Sequence, residues 1–135
     1  MRFIGFNFSK IGVEKLADKV DNLKINTKID ISDIEWVKSD IFKNEELLSI
    51  KFTYTIDYSP KLAKLELAGH IIMSVDSKIV NDILSGWKNK KMPEEFRIAI
   101  FNIILRKANI KALELEDEMN LPLHLPLPKV TKSKD

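Results

Sequence analysis

Residues 47–75 read LLSIKFTYTIDYSPKLAKLELAGHIIMSV, and the alternation inside that stretch decides the fold. From Leu48 to Tyr58 the even positions are Leu48, Ile50, Phe52, Tyr54, Ile56 and Tyr58, while the odd ones are Ser49, Lys51, Thr53, Thr55 and Asp57. A period of two over this length is a long strand with one face buried. Ser59-Pro60-Lys61 interrupts it, with Pro60 suited to a turn. The alternation then resumes: Leu65, Leu67, Ile71, Met73 and Val75 share one side, Lys64, Glu66 and His70 the other. Gly69 in mid-strand indicates a bulge or bend. The two strands form an antiparallel hairpin.

Upstream, LKINTKIDI (Leu23–Ile31) alternates in the same way, and FIGFNF (Phe3–Phe8) reads as a short fourth strand. Between them Val13, Leu16, Ala17, Val20 and Leu23 have helical spacing and predict a short helix. SDIFKNEE (Ser39–Glu46) predicts a charged loop.

After Val75 the period changes to that of a helix. Asp76 is a candidate N-cap, Ile79, Val80, Ile83, Leu84 and Trp87 form an apolar stripe, and KNKK (Lys88–Lys91) places cations where a helix C-terminus favours them. Pro93 opens a second helix, with Glu94 and Glu95 in its first turn, and that helix is predicted to run to about Met119. Its first half is apolar nearly all round, from Phe96 through Leu105, interrupted by Arg97 and Asn102. A helix lying on one sheet needs a single apolar stripe. The excess predicts a subunit interface through Ile98, Phe101, Ile104 and Leu105. Strands first and helices after them give an α+β fold, a four-stranded antiparallel sheet with helices packed on one face. Residues 1–128 are read as one domain and 129–135 as a charged, disordered tail.

The chain closes on LPLHLPLPKV (Leu121–Val130). Pro122, Pro126 and Pro128 stop the long helix and hold the segment extended. They are never three apart, so no PxxP ligand exists. The leucines either cover the protein's own sheet or subunit joint, or form one wall of a groove for unfolded chain.

The chemistry that can be excluded is extensive. There is no cysteine among the 135 residues, so disulfides, thiolate zinc sites and cysteine nucleophiles are absent. The two histidines, His70 and His124, lie far apart and match no metal-ligand spacing, so both read as solvated residues. Four isolated glycines build no phosphate-binding loop. The dense acidic cluster ELEDEM (Glu114–Met119) reads as a solvated helix face, with a docking patch for a basic partner as the alternative. A net charge of +2 with both signs interleaved argues against nucleic acid. No stretch approaches the ~18 continuous apolar residues of a membrane helix, and the N-terminal apolar run is too short for a signal peptide. The expected location is the cytoplasm. No catalytic constellation and no cofactor motif appears.

What remains is an excess of apolar side chains outside the strongest core stripes. Phe6, Phe8, Trp36 and Phe42, with Leu123, Leu125 and Leu127 of the tail, are the candidates for a client-binding surface. The hairpin IKFTYTIDYSPKLAKLELAGHI, the helix opening MPEEFRIAIFNIILRKA and the terminal LPLHLPLP together resemble the SecB chaperone family, and its SecB-like relatives in particular. The resemblance implies a four-stranded antiparallel sheet with two helices, dimers paired into a tetramer, and grooves that hold unfolded polypeptide or preprotein without ATP. In the export proteins of that family the sheet face and acidic residues dock the SecA motor, and no docking residues of that kind can be matched here. SecB-like relatives also serve toxin–antitoxin systems. Two readings follow: an ATP-independent holdase for non-native chains, or a dedicated binding module for one partner such as an antitoxin.

Overall fold

The computed structural model describes residues 1–38 and 45–133. Phe42 and most of the expected loop at Ser39–Glu46 lie outside these residues. Four strands come first: β1 (Arg2–Lys15), β2 (Lys24–Val37), β3 (Glu45–Ser59) and β4 (Ala63–Asp76). Two helices follow, α1 (Ser77–Trp87) and α2 (Glu94–Glu118). The strands form one antiparallel sheet in the order β1-β4-β3-β2. The predicted hairpin therefore occupies the middle of the sheet, and the two upstream strands are its edges.

The even positions of β3, from Leu48 to Tyr58, are all at most 1% exposed. They pair across to Met73, Ile71, Gly69, Leu67, Leu65 and Ala63 of β4, so one face of the central hairpin is fully apolar and lies under the helices. The opposite face carries Lys51, Thr53, Thr55, Asp57, Lys64, Glu66 and His70, and no helix covers it. A surface ion pair there joins Lys10 to Glu66 at 3.1 Å.

Both edge strands run farther than their alternation indicates, for one physical reason. β1 has register shifts between Phe3 and Gly5 and between Phe8 and Lys10, and β2 has one between Ile31 and Asp33. An extra residue inverts the parity of everything beyond it. On β1, Phe6 and Phe8 face the helices by even number, while Ile11 and Val13 do so by odd number, opposite Leu67 and Leu65. On β2, Ile25, Ile29 and Ile31 give way to Ile34 and Trp36, opposite Ile50 and Leu48. The helix expected over Val13–Leu23 is thus replaced by the end of β1 and an irregular connection. Trp36, beyond the predicted Leu23–Ile31 strand, lies on β2, and Glu45 and Glu46 of the expected loop open β3.

Gly69 is needed because β1 crosses it closely: a Cβ at that position would overlap the carbonyl oxygen of Asn7. The bulge lies on β1, beside the Phe8–Gly69 pair, and not on β4.

α1 begins as expected, with the Asp76 carboxylate accepting from the Lys78 amide at 2.9 Å. Val80 and Ile83 enter the core, while Ile79 of the expected stripe is 40% exposed. Pro93 stands at the N-cap of α2, ahead of Glu94 and Glu95. The helix stops at Glu118, and Asn120 follows at φ 54°. Its buried residues, Phe96, Ile100, Ile104, Ala108, Ala112 and Glu116, form a single i, i+4 ridge of the kind that packs into a groove. Ile104 therefore belongs to the chain's own core and is unavailable to a partner subunit. Ile98 and Leu105 are exposed and Phe101 is half-buried on the other side of the helix.

Candidate functional site

The apolar candidates do not converge on one groove. Phe6 and Phe8 are half-buried on β1. Their rings meet edge to face, 4.9 Å apart, and both reach Phe52 of β3, at 5.3 and 6.5 Å. The close crossing over Gly69 lets them do so. Trp36 lies on the other edge of the sheet, 46% exposed. Its indole N–H donates to Glu46 Oε2 at 2.8 Å and the Lys38 ammonium sits 5.7 Å from the ring, which fixes the ring while leaving a face open to water. Three strand spacings separate the two edges, roughly 14 Å. Leu125 and Leu127 are exposed and Leu123 is half-buried, so the tail contributes a third apolar strip.

Further apolar surface lies outside the residues chosen for the client surface. Met1, Phe3 and Ile4 at the start of β1 are exposed, as are Ile11 and Ile110. Between α1 and the beginning of α2 is a cleft of about 350 Å³, lined by Met1, Ile79, Ile83, Pro93 and Phe96 together with Asp82 and Glu95. No group of potential metal ligands occurs among the described residues, and no helix of the described chain is long and apolar enough to cross a membrane.

The second half of α2 holds a feature that sequence reasoning missed. Glu116, expected on a solvated face, is fully buried, and His124, expected in a solvated tail, has a side chain 3% exposed. They meet at 2.7 Å, His124 Nδ1 against Glu116 Oε1. The backbone N–H of His124 also donates to Glu116 Oε2, at 3.1 Å, and the Tyr58 hydroxyl donates to the same oxygen. On the far side of the imidazole, Nε2 lies 3.0 Å from both Asn109 Oδ1 and the Tyr54 hydroxyl, and that hydroxyl donates to Asn109 Oδ1 at 2.6 Å. No buried side-chain nitrogen or oxygen of the described residues is left without a partner.

The network therefore joins β3, α2 and the segment after α2. Ala108 and Ala112 are fully buried on the same stretch of α2. Small residues there let the helix approach the sheet closely enough for both tyrosine hydroxyls to reach it. Burial pushes the phenol of Tyr54 well above the usual tyrosine range, and the neighbouring Glu116 charge adds to this. Burial does the same to Tyr58, reinforced by its hydrogen bond to Glu116. The sequence held one signal for this: Phe96, Ile100, Ile104, Ala108 and Ala112 extrapolate at a spacing of four onto Glu116. Nothing local marks His124, whose partner Tyr54 is 70 positions away.

Glu114, Asp117 and Glu118 of the same acidic cluster are exposed, as expected. The side chains of Glu116 and His124 are closed from solvent, and the grouping fixes the segment after α2 against β3 and α2.

No family model matches the chain, and no curated protein does. Among solved structures, the SecB-like chaperone of Mycobacterium tuberculosis in complex with a ChAD peptide from the HigA1 antitoxin is similar, with a TM-score of 0.51 and 8% sequence identity, covering 98% of this chain and 91% of that one. At that identity the likeness is one of fold. The chain is a four-stranded antiparallel sheet with two helices on one face, the fold of a SecB-like chaperone.

Proposed function

We propose that this chain is a polypeptide-binding chaperone of the ATP-independent, holdase kind, which keeps non-native or preprotein segments from aggregating by covering their apolar side chains. The observation that carries the reading is the amount of large apolar surface left in water on a chain with a core of its own: Phe3, Trp36, Ile110, Leu125 and Leu127 are between 38% and 60% exposed. Large exposed apolar surface serves binding, and here it is divided among the sheet edges, α2 and the tail. A client segment burying ~1,000 Å² of apolar area gains on the order of 25 kcal/mol gross, most of it offset by ordering the client. Binding of that kind is broad and reversible. The fold shared with a SecB-like chaperone supports the same reading.

The surface divides by role. Ile98, Phe101 and Leu105 on α2 form the face for other copies, giving a dimer of dimers. Phe6, Phe8, Trp36, Leu123, Leu125 and Leu127, with Phe42, line the client surface. Sedimentation equilibrium is expected to give four times the chain mass, and Leu105→Asp to lower it; a monomer in the unaltered protein would remove the tetramer. The site of action on this reading is the cytoplasm, with a translocase or a folding pathway receiving the client.

A second reading has a specific observation in its favour. The similar M. tuberculosis chaperone is bound to an antitoxin peptide, so this chain is alternatively a module dedicated to one partner of that type. Client breadth separates the two. At a stoichiometric ratio and without nucleotide, the holdase suppresses light scattering from several unrelated unfolded proteins. Suppression of none of them would leave the dedicated module as the surviving reading.

A further inference from the structure

The residues that follow α2 have no regular secondary structure, yet the protein holds them at a defined place. Leu121 is buried in the core, and its N–H donates to the Glu116 carbonyl at 2.9 Å. His124 is then inserted between Glu116 on one side and Asn109 and Tyr54 on the other. Beyond it the hold is weak: Leu125 and Leu127 are 38% and 51% exposed, and Val130 is fully exposed. The segment is a strap fixed at two points, the buried Leu121 and the side chain and amide of His124.

The cleft that receives this side chain has the properties of a peptide-recognition site. Its walls come from β3, through Tyr54 and Tyr58, and from α2, through Asn109 and Glu116. Its polar atoms read two features of the occupant: the Glu116 carboxylate accepts from the backbone N–H of His124 at 3.1 Å and faces Nδ1 at 2.7 Å, while Asn109 and Tyr54 meet Nε2. With the strap gone, a fully buried carboxylate would keep only the Tyr58 hydroxyl among these donors, an unfavourable state that draws in a replacement. An apolar residue in place of histidine would keep the backbone N–H but take Nδ1 from Glu116 Oε1 and Nε2 from Asn109 and Tyr54, and sites of this kind discriminate against occupants that lack the required polar group.

We infer that the cleft formed by Tyr54, Tyr58, Asn109 and Glu116 is a recognition site for an extended apolar peptide carrying a histidine, occupied here in cis by the Leu121–Pro128 strap and open to a client segment of the same pattern that displaces it. The inference deepens the polypeptide-binding reading by naming a client class. A tethered occupant acts at an effective concentration on the order of millimolar, so it excludes weak ligands and yields to a segment that matches it.

The test uses the full chain and a synthetic peptide of residues Leu121–Val130. With only two histidines in the sequence, the ring and amide NMR signals of His124 are readily isolated. Titration with the peptide is expected to move them to their solvent-exposed positions with a midpoint on the order of 1 mM. The same peptide carrying His124→Leu is expected to be at least about tenfold weaker. Unmoved signals well above that concentration, or equal potency of the two peptides, would overturn the inference. In the protein, His124→Gln loosens the strap and is expected to raise affinity for the labelled unaltered peptide at least about tenfold; should that variant unfold, Leu123→Ser weakens the strap without touching the polar atoms. Unchanged affinity in a folded variant also overturns it. Aggregation suppression is a separate readout. A chain that suppresses aggregation and ignores the peptide loses this inference and keeps the chaperone function, whereas one that takes the peptide and suppresses nothing loses the general holdase.

Discussion

Glu116→Ala is expected to lower the unfolding free energy by about 3–5 kcal/mol, the cost of removing one partner from a buried, hydrogen-bonded charge site. The substitution strips the acceptor from the Tyr58 hydroxyl, from the His124 amide and from its imidazole at once. Three buried donors then face a small apolar void, and water has no path to them. For a chain of this length the fall in Tm is on the order of 10–20 °C. The control is close at hand. Glu114→Ala, on an exposed residue paired only with Lys111 at 3.0 Å, is expected to change stability by less than about 0.5 kcal/mol. Urea denaturation of the two variants decides the matter: equal midpoints would mean that Glu116 is not buried in the network. Glu116→Gln should fall between them, because the amide keeps one acceptor oxygen and presents a donor where the His124 N–H groups already point.

The two tyrosines of the sequence, Tyr54 and Tyr58, are both in that network, so an absorbance titration at 295 nm reads the network alone. Both phenols are held above the ordinary tyrosine value, first by burial and then by Glu116. A group whose folded value is raised contributes stability that is intact below its unfolded value, about 10, and lost as pH rises beyond it. Each tyrosine removes on the order of 1.4 kcal/mol per pH unit in that range. The native chain should show no tyrosinate signal at pH 10, where an unfolded control in urea is half ionised. The signal should then appear in one step, together with loss of helix by circular dichroism. A smooth rise centred near pH 10, with helix content unchanged, would show the phenols exposed.

These two outcomes bear on how much could be read from sequence. The central hairpin was readable in full, because six alternating residues on β3 and their partners on β4 obey a period of two without interruption. β1 was readable only as far as its second register shift, and β2 as far as its one. Ser32 on β2 and Ser9 on β1 stand at the shifts, and past them the apolar set changes from odd to even or from even to odd. That change gave the residues after Phe8 a helical look and left Trp36 beyond the predicted strand. α1 and α2 declared themselves through Asp76 and Pro93, whose chemistry is local.

The functional surface was readable as an inventory and not as an arrangement. Phe6, Phe8 and Trp36 were selected for excess apolar character, and no periodicity could show that they stand on opposite edges of the sheet. Ile104 was grouped with Ile98 and Leu105 because all three share a strongly apolar stretch. Only the i, i+4 ridge, which turns gradually around the helix, assigns Ile104 to the core and leaves the others outside. His124 was unreadable in principle from its neighbours, since the atoms that bury it come from β3 and α2.

The protein's role as a holder of unfolded chains is tested most directly by hydrogen exchange of the full chain with and without a permanently unfolded client protein at a stoichiometric ratio. Our reading gives added protection on the N-terminal part of β1 around Phe3–Phe8 and on the end of β2 around Trp36. The open polar face of the sheet, around Lys51, Glu66 and His70, should exchange as before. No change in any segment, or protection confined to that polar face, would contradict it.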